Sequence, residues 1–177
     1  MTVPFQLRVA SVAELHLAHA IDDAAAQLFA QAGIDIDLPD DHPFVVEERA
    51  RWHTAAEAGG VYFAMLDGAA VGFVALHMLD GFSYVEQLSV RPEHGRHGIG
   101  RALLERACAL ARVRGAREIW LTTYRHLPFN RPFYEGADFA VVPEHAWGPG
   151  VRDAISAQRR VLPEPAQRVA MRRVLTV

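Results

Sequence analysis

The chain has a single cysteine, no apolar run of membrane-spanning length and no excess of positive charge. One cysteine cannot form an internal disulfide or a cysteine-rich metal site. Cys108 lies among small apolar residues, where a buried, inert thiol is expected and a nucleophile is the alternative. The net charge of −3 argues against a nucleic-acid-binding surface. Without an apolar span or a signal peptide at its start, the chain is expected to be soluble and cytoplasmic, with no membrane partner.

The remaining composition is that of an ordinary globular domain. A chain of 177 residues, of which 51% are hydrophobic, can bury one core, so residues 1–177 are expected to form a single domain. The nine histidines show no spacing typical of metal ligands, and no catalytic metal is predicted.

Apolar periodicity and turn residues predict a mixed sheet flanked by helices. Asp-Gly pairs join three strand-like runs, residues 61–66, 71–79 and 82–90, into an antiparallel meander. A helix over 99–114 then leads to a strand at 118–123, and a crossover of this length makes a parallel neighbour. The other predicted elements are a strand at 5–10, helices at 12–32 and 45–58, a short helix within 125–138, and strands at 139–142 and 168–177.

Two segments leave alternatives open. Residues 143–167 contain four prolines and are expected to form a long irregular excursion, which is typical of a lid, a binding loop or disorder. The last strand could be an edge strand that pairs between subunits or an internal strand, so either a monomer or a homodimer is expected.

The most informative segment is a glycine-rich, cationic turn between a strand and a helix. Gly95, Gly98 and Gly100 follow a Val-Arg-Pro strand end, and arginines or histidines stand at positions 91, 94, 96, 97 and 101. Glycines let the backbone approach a ligand, and the first N–H groups of a helix are unpaired at its positive end. The segment therefore predicts a phosphate-binding loop, with a plain helix start as the alternative. A P-loop would need a Gly-Lys-Ser/Thr sequence, and a dinucleotide fingerprint would need glycine in place of Leu103.

This turn resembles the acyl-CoA pyrophosphate loop of the GNAT superfamily of N-acetyltransferases. The family loop usually begins Arg/Gln-Gly-x-Gly-x-Gly/Ala, whereas Gly95 and Arg96 stand here in the reverse order. The resemblance implies an α/β (α+β) fold with a GNAT-like mixed, mainly antiparallel sheet flanked by helices. It also implies acetyl-CoA as the acyl-donor cosubstrate. The residues expected to bind it are Leu88, Ser89, Val90, Arg96, His97, Gly98, Ile99, Gly100, Arg101 and Asn130.

Glu86 is a carboxylate in an otherwise apolar strand row. Simple alternation places it on one face with Phe82, Tyr84, Leu88 and Val90. Burial there would raise the pKa of Glu86 and make it a better general base, which a protonated amine substrate needs. A glutamate that is ion-paired in the sheet, or displaced by a bulge, is the alternative. The GNAT resemblance favours the base, because many members carry a glutamate on this strand that receives the amine proton, often through water.

A second segment, residues 130–139, resembles the GNAT sequence Phe-Tyr-Glu-x-x-Gly-Phe. The resemblance implies that Tyr134 lies near the cofactor sulfur and protonates the departing thiolate, a role that suits a phenol. Ordinary core aromatics at Phe133 and Tyr134 are the alternative. Asp138 stands where the family has glycine, and Gly136 comes two residues early, which leaves the geometry of this turn open.

Together the two segments imply an N-acetyltransferase that works by direct transfer. Acetyl-CoA would donate its acetyl group to a primary amine of a small molecule or peptide. Glu86 would accept the amine proton, a strand N–H near Leu88 would stabilise the oxyanion, and Tyr134 would protonate the thiolate. The alternative is a non-catalytic acyl-CoA-binding module with a regulatory or structural role. Nucleotide hydrolysis is a weaker hypothesis, because the loop lacks the lysine and hydroxyl of a P-loop.

Overall fold

A seven-stranded mixed sheet organises residues 4–176, the part of the chain that this computed structural model describes. Residues 1–3 and 177 lie outside it, and with them part of the N-terminal segment judged to lack a signal peptide and the end of the last predicted strand. The elements in chain order are β1 (Gln6–Val9), α1 (Leu15–Gln31), α2 (Pro43–Glu57), β2 (Val61–Leu66), β3 (Ala69–Leu79), β4 (Phe82–Val90), α3 (Ile99–Val113), β5 (Glu118–Tyr124), α4 (Arg131–Glu135), β6 (Ala140–Val142), α5 (Pro149–Val161) and β7 (Arg168–Val174).

The strands lie in the order β1-β2-β3-β4-β5-β7-β6. Within residues 4–176 neighbouring strands run antiparallel, apart from β4 and β5, which are parallel. Both Asp-Gly turns of the β2-β3-β4 meander have positive φ at Asp and at Gly, as a tight hairpin turn with the twist of the strands requires. The predicted meander, the parallel crossover through α3 and the mixed sheet are confirmed.

The helices cover the two faces of the sheet. On one face α3 buries Leu103, Leu104 and Ala107 against the strands. Cys108 is also fully buried there, as expected. On the other face α1 and α2 pack on β2 and β3, and the Trp52 ring meets the Phe73 ring edge-on at 5.0 Å. Removing each such large side chain from water stabilises the fold by roughly 1.5–3 kcal/mol.

The expectation of an irregular excursion at residues 143–167 is wrong, because helix α5 occupies the centre of this segment. The prolines and glycines of this segment lie at or beyond the ends of α5, where they do not interrupt the helix. Gly148 is the N-cap and Pro149 the first helical residue, a position at which proline loses no hydrogen bond. Val151 and Ile155 are buried against β7 and Trp147.

The last strand is internal. β7 lies between β5 and β6, and its residues Ala170 and Met171 are fully buried. The expectation that β7 could be an edge strand available for pairing between subunits is therefore wrong. It fails because β6, which precedes β7 in the chain, takes the outer position by pairing antiparallel with it.

Candidate functional site

A cleft of about 1010 Å³ opens where β4 and β5 separate. The two parallel strands pair only at Ser83 with Ile119 and at Tyr84 with Trp120. Beyond that point the edge of β4 facing β5 pairs with no strand in residues 4–176, and both strands line the cleft. Helices α1 and α2 form one wall, and the start of α3 with α4 forms the other. Unpaired strand backbone at a cleft wall offers hydrogen bonds to an extended ligand.

A β-bulge in β4 sets which side chains face this cleft. Gln87 lies opposite Ala75 and Val85 lies opposite Leu76, so Glu86 is the extra residue. The bulge shifts the alternation by one residue, and Leu88 and Val90 therefore pack with Val85 beneath α3. The single face predicted for Tyr84, Glu86, Leu88 and Val90 is wrong for this reason. The bulge alternative is confirmed.

Glu86 lies in the cleft as an ion-paired carboxylate. Its side chain is 8% exposed, Arg51 Nε donates to Oε1 at 2.7 Å, and His77 Nε2 lies 2.6 Å from Oε2. Burial alone would raise the pKa of Glu86, but the hydrogen bond from His77 and the charge of Arg51 outweigh it and hold that pKa below its ordinary value. The expected upward shift is wrong, since a sequence shows burial more readily than it shows partners.

Of the other carboxyls that line the cleft, Asp22 and Glu48 have raised pKa values, and the sequence did not predict either of them as a site residue. Asp22 on α1 accepts hydrogen bonds from Ser89 Oγ at 2.7 Å and Gln87 Nε2 at 2.8 Å, and burial raises its pKa to about 6 despite them. Burial raises the pKa of Glu48 on α2 to about 8, and the negative charges of Asp22 and Glu86 add to the shift. Both residues occupy ordinary helix positions, so no local sequence signal marks them.

The glycine-rich loop adopts the shape of an anion cradle at the start of α3. Gly98 is the N-cap in the left-handed region (φ 80°), and Arg96 is left-handed as well (φ 61°). The N–H groups of the first turn of α3 have no partner inside the helix and lie at its positive end. Eight of the ten predicted cofactor-binding residues line the cleft: Leu88, Ser89, Val90, Arg96, Gly98, Gly100, Arg101 and Asn130.

The other two predicted residues are placed differently. The side chain of His97 is exposed outside the cleft, and that of Ile99 is buried in the core beneath α3. Arg101 lines the cleft but also has a structural role, because its Nη1 donates to the carbonyl of Gly136 at 2.5 Å. That bond ties the start of α3 to the end of α4.

Tyr134 and Asn130 line the cleft from α4, whereas Glu86 lines it from β4. Tyr134 packs edge-on against Phe133 and Phe139, and burial raises its pKa to about 12. Asn130 is the N-cap residue of α4 and is 9% exposed. The turn after α4 retains a left-handed residue, since Asp138 has φ 64°.

A buried polar network, also missed from the sequence, forms the floor of the cleft. Arg168 at the start of β7 donates to Gln158 of α5 and to Thr122 of β5. Thr122 in turn contacts the hydroxyl of Tyr84 at 2.9 Å. These residues are scattered from position 84 to 168, and only the fold brings them together.

The site therefore combines an anion cradle, several ionisable groups and a buried guanidinium in one cleft. No group of three metal-ligating side chains occurs within the described residues. In the same part of the chain, no helix has both the length and the apolar character needed to cross a bilayer. Asp22, Glu48 and Glu86 together are called the acidic wall. The arrangement suits a phosphate-bearing donor that lies along β4 and meets a polar acceptor at the acidic wall.

Known proteins share this fold and sequence pattern. Residues 15–139 match the model of the acetyltransferase (GNAT) family. An uncharacterized N-acetyltransferase of Archaeoglobus fulgidus is 37% identical over 105 residues, which cover 52% of this chain and 68% of that protein.

Solved structures with low identity share the fold. The PaiA N-acetyltransferase of Thermoplasma acidophilum, in complex with coenzyme A, aligns with a TM-score of 0.70 at 16% identity and covers 97% of this chain and 99% of its own. N-acetylglutamate synthase of Neisseria gonorrhoeae, in complex with coenzyme A and N-acetyl-glutamate, aligns with a TM-score of 0.69 at 16% identity over 98% of this chain. This chain spans 36% of that synthase. On the family match, the chain belongs to the GNAT family and is an acetyl-CoA-dependent acyltransferase.

Proposed function

We propose that the protein is an N-acetyltransferase that moves the acetyl group of acetyl-CoA directly to a primary amine of a small molecule or peptide. The observation that carries this proposal is the gap between β4 and β5, which connects the anion cradle of α3 to the ionisable groups of the cleft. In this proposal acetyl-CoA holds its pyrophosphate at the cradle and extends its thioester along the cleft toward Tyr134 and Glu86, which line it.

The cofactor-binding residues follow from this placement. The backbone of residues 95–101 would hold the pyrophosphate, with Arg96 and Arg101 supplying positive charge. The unpaired edge of β4 at Leu88, Ser89 and Val90 would hydrogen-bond the amide groups of the cofactor arm, and Asn130 would do so from α4. A strand N–H near Leu88 would stabilise the oxyanion of the tetrahedral intermediate.

Glu86 and Tyr134 are the proposed catalytic residues. Glu86 is ionised throughout the neutral range because His77 and Arg51 stabilise its charge, so it can receive the amine proton through water. Its low pKa makes it a weak base, and the proton must pass on to solvent. The pKa of Tyr134 is shifted in the other direction, upward. Its pKa of about 12 keeps the phenol protonated, as a donor to the departing thiolate requires.

The first test is thermal stabilisation by acetyl-CoA, compared with ATP and with desulfo- and dephospho-analogues. A ligand that binds only the folded state at 100 times its Kd stabilises it by about 2.7 kcal/mol, so a dose-dependent shift specific to acetyl-CoA is expected. CoA release in the presence of amines then measures transfer. Absence of a shift at millimolar acetyl-CoA would contradict the proposal. A shift without transfer to any amine would instead indicate a non-catalytic acyl-CoA-binding module.

Variants assign the two catalytic roles. Below the pKa of the amine, Glu86→Gln should slow transfer by about 10²-fold without weakening acetyl-CoA binding. Tyr134→Phe should slow transfer as well. Glu48→Gln is the matched comparison, since Glu48 is another glutamate of the cleft and its pKa of about 8 is nearer neutrality than the lowered pKa of Glu86. If Glu48→Gln is the slower enzyme and Glu86→Gln is unaffected, the base is Glu48. Unaltered kinetics of Tyr134→Phe would assign the acid role to water.

A further inference from the structure

Arg168 is a charged side chain buried in the floor of the cleft. The residue is 8% exposed and lines the same cleft as Asp22, Glu48 and Glu86. Its burial lowers the pKa of the guanidinium, which nevertheless stays protonated, as arginine does in proteins. Burying a charge is costly, and proteins normally place an opposite charge next to it.

The side chains that accept hydrogen bonds from Arg168 are all neutral. Its Nε and Nη2 donate to Gln158 Oε1 at 3.2 Å and 2.9 Å, and Nη2 also reaches Thr122 Oγ1 at 3.2 Å. The guanidinium carbon lies 4.7 Å from the centre of the Tyr124 ring. Within residues 4–176 no carboxylate lies within 4 Å of the guanidinium. On the same strand the partly buried Arg173 does have such a partner, Glu105 at 2.7 Å.

One nitrogen of Arg168 is left for a ligand. Nη1 forms no hydrogen bond with the described residues, yet it is not among their fully buried unpaired atoms, so it keeps access to the cleft. The rest of the guanidinium is held in place. Gln158 Nε2 donates to Thr122 Oγ1 at 2.9 Å, so the two acceptors of Arg168 also fix each other. A guanidinium held in this way by neutral groups is preorganised for an anion.

The acidic wall, formed by Asp22, Glu48 and the ion-paired Glu86, has the opposite character. Burial keeps Asp22 and Glu48 closer to their neutral forms than exposed carboxyls, and a bound ammonium group would favour their ionised forms. Arg168 therefore suits a carboxylate of a ligand, whereas Asp22 and Glu48 suit an amine.

We infer that the acetyl acceptor carries a carboxylate as well as its amine, and is therefore a free amino acid or a similar amino acid-like small molecule. The carboxylate binds Arg168 through Nη1, and the amine lies toward Asp22 and Glu48, beside the thioester. This inference rests on the proposed N-acetyltransferase function and narrows its acceptor. Amines without a carboxylate leave the Arg168 charge unpaired and are poor acceptors.

The first experiment compares matched acceptors with the wild-type enzyme and acetyl-CoA. Each common α-amino acid, with β-alanine and 4-aminobutyrate, is tested beside its amide and its decarboxylated amine, and CoA release is measured. All 18 basic side chains of the Lys and Arg type are arginine in this chain, so acetylation of the enzyme's own lysines gives no background. At least one acid should exceed its amide and its amine in kcat/KM by roughly 10-fold or more. Equal or better use of the amides or amines would overturn the inference, as would the failure of every acid.

The second experiment tests Arg168 itself. Arg168→Gln should raise KM for the preferred acid by roughly 100-fold while kcat for the amide changes little. Arg168→Lys should fall between, because it keeps the charge but loses the planar fork. Arg172→Gln is the matched control on the same strand, since Arg172 pairs with Glu118 at 3.3 Å away from the cleft. An unchanged KM in Arg168→Gln would contradict the assignment.

Acetyl-CoA binding separates the possible failures. The thermal shift caused by acetyl-CoA should be the same in wild type, Arg168→Gln and Arg172→Gln. If wild type itself shows no shift, the proposed function fails, whereas a normal shift with no preference for acids rejects only the carboxylate. If Arg168→Gln does not fold, the comparison of acids, amides and amines in wild type decides alone.

Discussion

Two residues take a left-handed backbone where the GNAT pattern has glycine. Arg96 has φ 61° and Asp138 has φ 64°, and each looked like a departure from a motif in the sequence. Both positions therefore have the left-handed backbone that glycine adopts most easily, although neither is glycine. Aspartate tolerates this conformation well, whereas for arginine it costs about 1 kcal/mol. The sequence shows which residue stands at each position, but it does not show that the backbone there is left-handed.

The strain at Arg96 gives a stability prediction. Arg96→Gly should be more stable than Arg96→Ala by about 1 kcal/mol, because both lose the exposed guanidinium and only glycine relieves the positive φ. Urea unfolding of the free proteins measures the difference. Both variants should bind acetyl-CoA more weakly than wild type, since both remove a cation from the cradle. Equal stability of the glycine and alanine variants would mean that the loop relaxes out of the left-handed region.

Glu86 shows the same limit of residue-scale inference. Its position in the strand and its burial follow from the sequence, but its pKa depends on His77 and Arg51. Those partners come from β3 and α2, nine and 35 residues away in the chain. The sign of the shift was therefore outside what strand alternation can predict.

At the scale of elements, α5 depends on a cap from another part of the chain. Asp80, in the turn between β3 and β4, accepts hydrogen bonds from Gly150 N at 2.6 Å and Val151 N at 2.9 Å. A Cβ at Gly148 or Gly150 would lie within 3 Å of the Asp80 carboxylate, so both glycines allow this approach. The sequence around α5 contains helix-breaking residues and no capping side chain at its N-terminus, which is why an irregular segment was expected there.

Removing this cap should destabilise the protein. Asp80→Gly keeps the tight turn, which has φ 54° at this residue, but it removes the carboxylate and its attraction to the helix dipole, a loss of about 1–2 kcal/mol. Asp67→Gly is the control, because Asp67 occupies the same position in the turn between β2 and β3 with φ 50° and has no helix end to cap. Urea midpoints compare the two. An equal loss in both variants would show that the turns matter and the cap does not.

At the scale of the molecule, local signals predicted the order of strands and helices but missed three ionisable side chains of the cleft, Asp22, Glu48 and Arg168. The meander, the α3 crossover and the phosphate-binding loop follow from turn residues and periodicity, which act over a few positions. Asp22, Glu48 and Arg168 are separated by 26 and 120 residues and have no motif in common. They meet because α1, α2 and β7 converge on the gap between β4 and β5. The loop proposed to bind the cofactor is thus more visible in sequence than the side chains proposed to select an acceptor.

The buried acidic wall also affects the stability of the whole protein. Glu48 has a pKa of about 8 in the folded state and about 4.5 in an unfolded chain, so between these values the folded protein holds the extra proton. Stability from this group is complete below pH 4.5 and is lost as the pH rises toward 8. Asp22 acts in the same direction between about pH 3.8 and 6.

Glu48→Gln should remove the larger part of this pH dependence. Wild-type stability is expected to fall between pH 6 and 8 with a slope of at most about 1.4 kcal/mol per pH unit from this group, and the glutamine variant should be flatter and more stable at pH 8. Urea unfolding at pH 5, 6, 7 and 8 measures both slopes. Glu47→Gln, the exposed neighbour on the same helix, should keep the wild-type slope. If Glu48→Gln instead loses stability at pH 8, the carboxylate is ionised and stabilised in the folded cleft, and the acidic wall is already prepared for a cation.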